Sequence, residues 1–180
     1  VEVLRKLIFD GGQYRSWYGS YGGPGSGSST EELKVNVVLE LENSEENNMG
    51  MPLPKGKVRV YKADKRGNLQ FLGEDLIDHT PRNETVQLYI GDAFDVVGTR
   101  RQSDYKKIAS NVKEEEYEIH LRNHKDEDAR VWVVEHLYGD WEMISNSHDY
   151  EKKDATTIEF PVTVPKDGEL TVKYRVRTQW

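Results

Sequence analysis

Leu170-Thr171-Val172-Lys173-Tyr174-Arg175-Val176-Arg177 places an apolar residue at every second position and a polar one between. A period of two is that of a β-strand with one face buried and the other in water. Earlier stretches repeat it as Ile158, Phe160 and Val162, as Trp132, Val134 and His136, and as Tyr117, Ile119 and Leu121. These residues, with Leu170, Val172, Tyr174 and Val176, are the expected core of the last third of the chain.

The rhythm extends toward the N-terminus. Leu33, Val35, Val37 and Leu39 share one face, and Val58 and Val60 another, with Arg59 and Tyr61 between them. Residues 1–9 and 13–18 read as strands, as do 85–90, 94–103, 117–122, 130–138, 157–162 and 170–177. Asp64-Lys65-Arg66-Gly67-Asn68 is a hairpin turn joining strands at 58–62 and 69–72, because Asp, Gly and Asn accept the dihedrals of tight turns. Residues 43–56 form a loop rich in Asn, Pro and Gly, while residues 123–128 and 165–168 are turns. Helical periodicity is nearly absent. Short strands separated by turns predict an all-β fold, an antiparallel β-sandwich of immunoglobulin-like architecture. Residues 1–32 form a strand or hairpin followed by a low-complexity Gly/Ser segment, and 33–180 the sandwich module, with a possible sub-boundary near Gly91.

Composition narrows the function. At 180 residues the chain is long enough to bury a core without staples, and its 36% hydrophobic and 32% charged residues describe a folded domain with a highly charged surface. A net charge of −7, with Lys and Arg interspersed among Asp and Glu, disfavours nucleic acid and, for the same reason, an anionic membrane surface as partners. Absence of cysteine excludes disulfides, thiolate metal sites and cysteine nucleophiles, and leaves the compartment open. No apolar run approaches the roughly 20 residues of a membrane-spanning helix, so no transmembrane segment is expected in this chain. The first residue is Val1, which suggests that further sequence precedes it.

Two groups of residues are candidates for binding. Asp75, Asp78 and His79, with Asp92, offer carboxylates and an imidazole suited to a divalent cation or acid–base work. The plainer alternative is that Asp78-His79-Thr80-Pro81 is a turn whose side chains bond the nearby backbone. Tyr14, Trp17, Tyr18 and Tyr21 offer a stacking surface for a glycan or protein, against the alternative of strand residues that pack on the sandwich. His120 and His124 lie four apart, but in a strand-then-turn context that does not hold them on one helical face for zinc. Residues 123–128 are acidic but lack the glycine and the spaced oxygens of a calcium loop. Gly22-Gly23-Pro24-Gly25-Ser26-Gly27 lacks the Lys-Ser/Thr ending of a phosphate loop, and no Gly-x-Ser-x-Gly elbow is present. No cofactor, metal or catalytic residue is assigned.

Pro52-Leu53-Pro54-Lys55-Gly56-Lys57-Val58-Arg59-Val60-Tyr61, Gly73-Glu74-Asp75-Leu76-Ile77-Asp78-His79-Thr80-Pro81 and Gly91-Asp92-Ala93-Phe94-Asp95-Val96 resemble runs of a bacterial and archaeal family, domain of unknown function 4139, which includes mucoidy-inhibitor-like proteins. Trp141, Ser145 and Ser147 before Lys152-Lys153-Asp154 fit the same pattern, so the resemblance covers roughly residues 33–180. It implies the C-terminal part of a longer, often exported protein, and it supplies no catalytic residues. The expected function is that of a non-catalytic binding or structural module of an envelope-associated protein, with a protein or glycan partner. The alternatives are a carboxylate-dependent hydrolase acting on a polysaccharide or peptide, and a passive spacer.

Overall fold

The computed structural model describes residues 1–12 and 31–180. The protein is all-β, with sheets of mostly antiparallel strands and no helix among the described residues. Its strands are β1 (Leu4–Asp10), β2 (Glu31–Glu42), β3 (Gly56–Ala63), β4 (Leu69–Ile77), β5 (Thr85–Ala109), β6 (Val112–Asn123), β7 (Ala129–His136), β8 (Asp140–Asn146), β9 (Glu151–Lys152), β10 (Thr157–Val164) and β11 (Gly168–Gln179). Nine form one sheet in the order β8-β11-β6-β5-β2-β1-β7-β10-β9, and β3 and β4 pair only with each other. Two compact units divide the chain: Val1–Leu7 with Asn36–Ala93, and Ile8–Val35 with Phe94–Trp180.

The edge strands of the large sheet, β8 and β9, are consecutive in the chain and joined by residues 147–150 alone. Laid flat, nine strands would separate those edges by about 38 Å at the usual strand spacing. A link of that length reaches roughly 17 Å. The sheet therefore curls on itself in the second unit, as sandwiches and open barrels do. Trp141 of β8 closes the gap by donating its indole N–H to the Ala155 carbonyl at 2.8 Å. Phe160 of β10 stacks on Tyr174 of β11 across the interior, with ring centroids 5.6 Å apart.

The charged face sets strand register. Lys173, Arg175 and Arg177 of β11 lie opposite Glu118, Glu116 and Glu114 of β6, and all three pairs are in contact. On the other side of β6, Arg101 of β5 binds Glu118. A slip of one residue would break these pairs and turn the apolar face outward.

Three expectations need correction. The strands read at 85–90 and 94–103 are one 25-residue strand, β5, continuous through Gly91. Gly91 has a φ of 148°, a conformation glycine takes without a clash, so an irregularity inside the strand replaces a break between two. On β7 the buried face is Ala129, Val131, Val133 and Glu135, while Trp132, Val134 and His136 are half-buried on the other face. The inward face is thus one residue out of phase with the expected one, because a buried glutamate belongs to the inward set. Finally, β8 was not among the expected strands: an edge strand facing water on most of its length carries Asp, Glu, Ser and Asn, and shows little apolar alternation. The hairpin turn at 64–68 falls between strands as expected, the loop at 43–56 and the turns at 123–128 and 165–168 do so except for Gly56, Asn123 and Gly168, which belong to strands, and β3 and β4 are longer than the sequence indicates. Residues 13–18 lie outside the described residues.

Candidate functional site

A cleft of about 430 Å³ opens in the second unit, lined by Gly11, Arg100, Glu115, Tyr117, Glu135 and Tyr174, with Lys113, Tyr138 and Trp180 further out. Its volume is within the range of small-molecule sites. Its residues come from several strands: β5 supplies Arg100, β6 Glu115 and Tyr117, β7 Glu135 and β11 Tyr174, while Gly11 directly follows β1.

Glu135 forms the floor, with its side chain 1% exposed. An isolated buried carboxylate is costly enough to protonate, unless it is paired and hydrogen-bonded. Here the Arg100 guanidinium binds it in a fork, Nε to Oε1 at 3.0 Å and Nη2 to Oε2 at 2.9 Å, and Tyr174 donates its hydroxyl to Oε2 at 2.7 Å. Bidentate, charge-assisted bonding of this kind is what a buried arginine–carboxylate pair requires. Burial alone disfavours the Arg100 cation, but Glu135 more than offsets it and raises the pKa above the ordinary value. Burial, then the Glu135 charge, holds the Tyr174 phenol well above its usual value.

The guanidinium also lies 4.0 Å over the Tyr117 ring, whose hydroxyl donates to Glu115 at 3.2 Å. Burial first, and Glu115 second, push the Tyr117 phenol up to about 12. Glu115 accepts from Gln102 at 3.0 Å and pairs with Lys113 at 2.8 Å. Both carboxylates lining the cleft are thus bonded to neighbouring side chains. The wall is completed by Gly11 and Gly12, in the turn that follows β1. Gly11 donates its N–H to the Val134 carbonyl, and a Cβ there would come within 2.3 Å of Glu135 Oε1, so a side chain would push the wall off the floor. Asp10 contacts His136 Nε2 at 3.0 Å.

The sequence-derived candidates sit elsewhere. Asp75 accepts from the backbone N–H of Leu76 at 2.8 Å and from that of Tyr89 at 2.7 Å. Asp92 accepts from the Tyr89 hydroxyl at 2.8 Å and from Asn36 at 3.0 Å. Tyr89 thus bonds both acids, fastening β4 and β2 to β5 in the first unit. Asp78 accepts from the His79 N–H, and His79 Nδ1 accepts from the Lys55 N–H at 3.3 Å, both at exposed positions. These contacts are the turn and backbone bonds of the plainer reading. No cluster of three or more His, Asp or Glu able to hold a metal occurs among the described residues. Tyr14, Trp17, Tyr18 and Tyr21 lie outside the described residues.

Sequence reading missed Arg100, Glu115 and Glu135. One signal was present: Glu135 continues the alternation of Ala129, Val131 and Val133, and an acid in phase with a buried face demands a cationic partner. Nothing local indicates that the partner is Arg100, 35 residues earlier. No helix among the described residues is long and apolar enough to cross a membrane. Compared with known protein families and with curated proteins, the chain finds no match.

Proposed function

We propose that this chain is a non-catalytic binding module of a larger, envelope-associated protein, immunoglobulin-like in architecture and related to domain of unknown function 4139, and that its ligand site is the cleft above Glu135. The observation that carries this reading is the contrast between floor and rim. Arg100 and Tyr174 hold the Glu135 carboxylate in fixed bonds, whereas Tyr138 and Trp180 present exposed rings at the opening. A saturated floor has no spare base or nucleophile, while exposed rings beside polar groups favour the flat apolar faces of sugars. The ligand class is therefore a glycan.

A glycan array followed by calorimetric titration of the best hit tests the reading. Wild-type protein is expected to bind at least one glycan, and Tyr138→Ala with Trp180→Ala to weaken it at least about tenfold with the fold intact. Failure of the wild-type chain to bind any glycan, or full affinity in the double variant, overturns it. A second reading, a carboxylate-dependent hydrolase, is favoured by the presence of Glu115 and Glu135 in one cleft. It requires activity on a polysaccharide or peptide that Glu115→Gln abolishes.

A further inference from the structure

The hairpin of β3 and β4 is a two-stranded sheet of its own, anchored at one end. Near its base, Gly73 lies so close to β5 that a Cβ there would sit 3.0 Å from the Ile90 carbonyl oxygen, and Asp75 takes the N–H of Tyr89. Beyond Gly73 the hairpin tip is held by its own bonds. Asp64 accepts from the backbone N–H groups of Arg66 and Asn68, which fixes the turn, and Tyr61 packs edge-on against Phe71 at 5.6 Å.

That tip is apolar on the outside. Leu69 is 71% and Phe71 55% exposed, and Tyr61 and Leu72 are also exposed. Tyr61 pairs with Phe71 and Ala63 with Leu69, so these share one face, while a register shift beside Val60 leaves Leu72 unpaired in the ladder. Lys62, Lys65 and Arg66 stand among them and form no ion pair among the described residues, whereas Arg59 and Lys57 nearer the base are held by Glu74. The only acid from 61 to 72 is Asp64, and its carboxylate is engaged by the turn. A chain of net charge −7 thus concentrates three cations and four large apolar side chains in one twelve-residue tip.

We infer that the β3–β4 tip docks on an anionic lipid surface, with Leu69, Phe71 and Leu72 entering the interface and Lys62, Lys65 and Arg66 meeting the headgroups. Charge complementarity selects an anionic partner. Shape selects lipid over protein: the tip is a narrow projection with exposed apolar groups not confined to one paired face, which suits a medium that closes around it more than a flat complementary surface. Basic residues beside an anionic bilayer and apolar side chains at its boundary act together in such attachment. Net charge, read over the whole chain, hides this because the acids lie elsewhere.

The test is sedimentation of the full 180-residue chain with vesicles of phosphatidylcholine alone or with an equal share of phosphatidylglycerol. The chain is expected to sediment with the anionic vesicles and not with the neutral ones, and added salt to weaken binding. Leu69→Ser with Phe71→Ser is expected to reduce partitioning at least about tenfold, and each of Lys62→Ser, Lys65→Ser and Arg66→Ser about fivefold. All these side chains are exposed, so the thermal midpoint serves as a check that the variants stay folded. Wild-type protein left in solution with anionic vesicles, or unchanged partitioning of the folded Leu69→Ser/Phe71→Ser variant, overturns the inference.

Discussion

Acidic side chains do different work in the two units. In the first, Asp75 and Asp92 are partly accessible, take bonds from Tyr89, and fasten one strand to the next. In the second, Glu135 is buried against Arg100 and Tyr174 and forms the floor of a cleft. A carboxylate near water can lose a partner and be rehydrated, whereas a buried one cannot. The energetic weight of an acid in this protein therefore follows its burial, not its prominence in the sequence.

The largest effect should come from removing the buried cation. Arg100→Ala leaves Glu135 buried without its fork, and is expected to cost about 3 to 5 kcal/mol in urea unfolding. A loss under about 1 kcal/mol would mean that water reaches the floor and that the two regions are alike. Next, Gly11→Ala drives a methyl group into Glu135 and should cost about 1 to 3 kcal/mol by the same assay. Tyr174→Phe deletes one hydrogen bond to the carboxylate while keeping the ring on Phe160, and should cost about 1.5 to 3 kcal/mol.

Much of the fold was legible because strand period and turn chemistry are local signals. The alternations at Ile158, Phe160 and Val162 and at Val172, Tyr174 and Val176 point inward as expected, and Asp64 to Asn68 turns as its composition dictates. The reading failed where a local rule is broken for a long-range reason. Glu135 in phase with a buried face inverted the assignment of β7, and Gly91 made one strand resemble two. The site was less legible still. Asp75, Asp78, His79 and Asp92 attracted notice by clustering in sequence, but their bonds go to nearby backbone and to Tyr89. Arg100 and Glu135 gave no such cue, since only folding brings β5 and β7 together around them. The cross-strand match of Lys173, Arg175 and Arg177 to Glu118, Glu116 and Glu114 is, by contrast, present in the sequence as two runs of opposite charge at the same spacing of two.

The pH dependence of the second unit has smaller effects. Arg101 depresses the pKa of Glu118, Ser103 that of Glu116, and Arg175 that of Asp104. A folded-state pKa below the unfolded value contributes stability that is present above the ordinary value, here 4.5 for the glutamates, and is lost as pH falls through the folded one. Thermal midpoints should therefore drop gradually below that pH, and less so in Arg101→Gln. Tyr117 behaves oppositely. Its phenol is raised from 10.0 to about 12, so its contribution is complete below 10.0 and is lost as pH rises through about 12. Phenolate absorbance should show late-titrating tyrosines, and Tyr117→Phe should remove the one near pH 12 while leaving that of Tyr174.

The most direct measurement compares two isosteric changes, Glu135→Gln and Asp75→Asn, in urea unfolding at neutral pH. Glu135→Gln strands the Arg100 cation in the interior and is expected to cost about 3 to 5 kcal/mol, whereas Asp75→Asn, at a partly accessible site, should cost under about 1 kcal/mol. Equal losses, or a larger loss for Asp75→Asn, would contradict the assignment of the cleft floor to a buried, saturated ion pair.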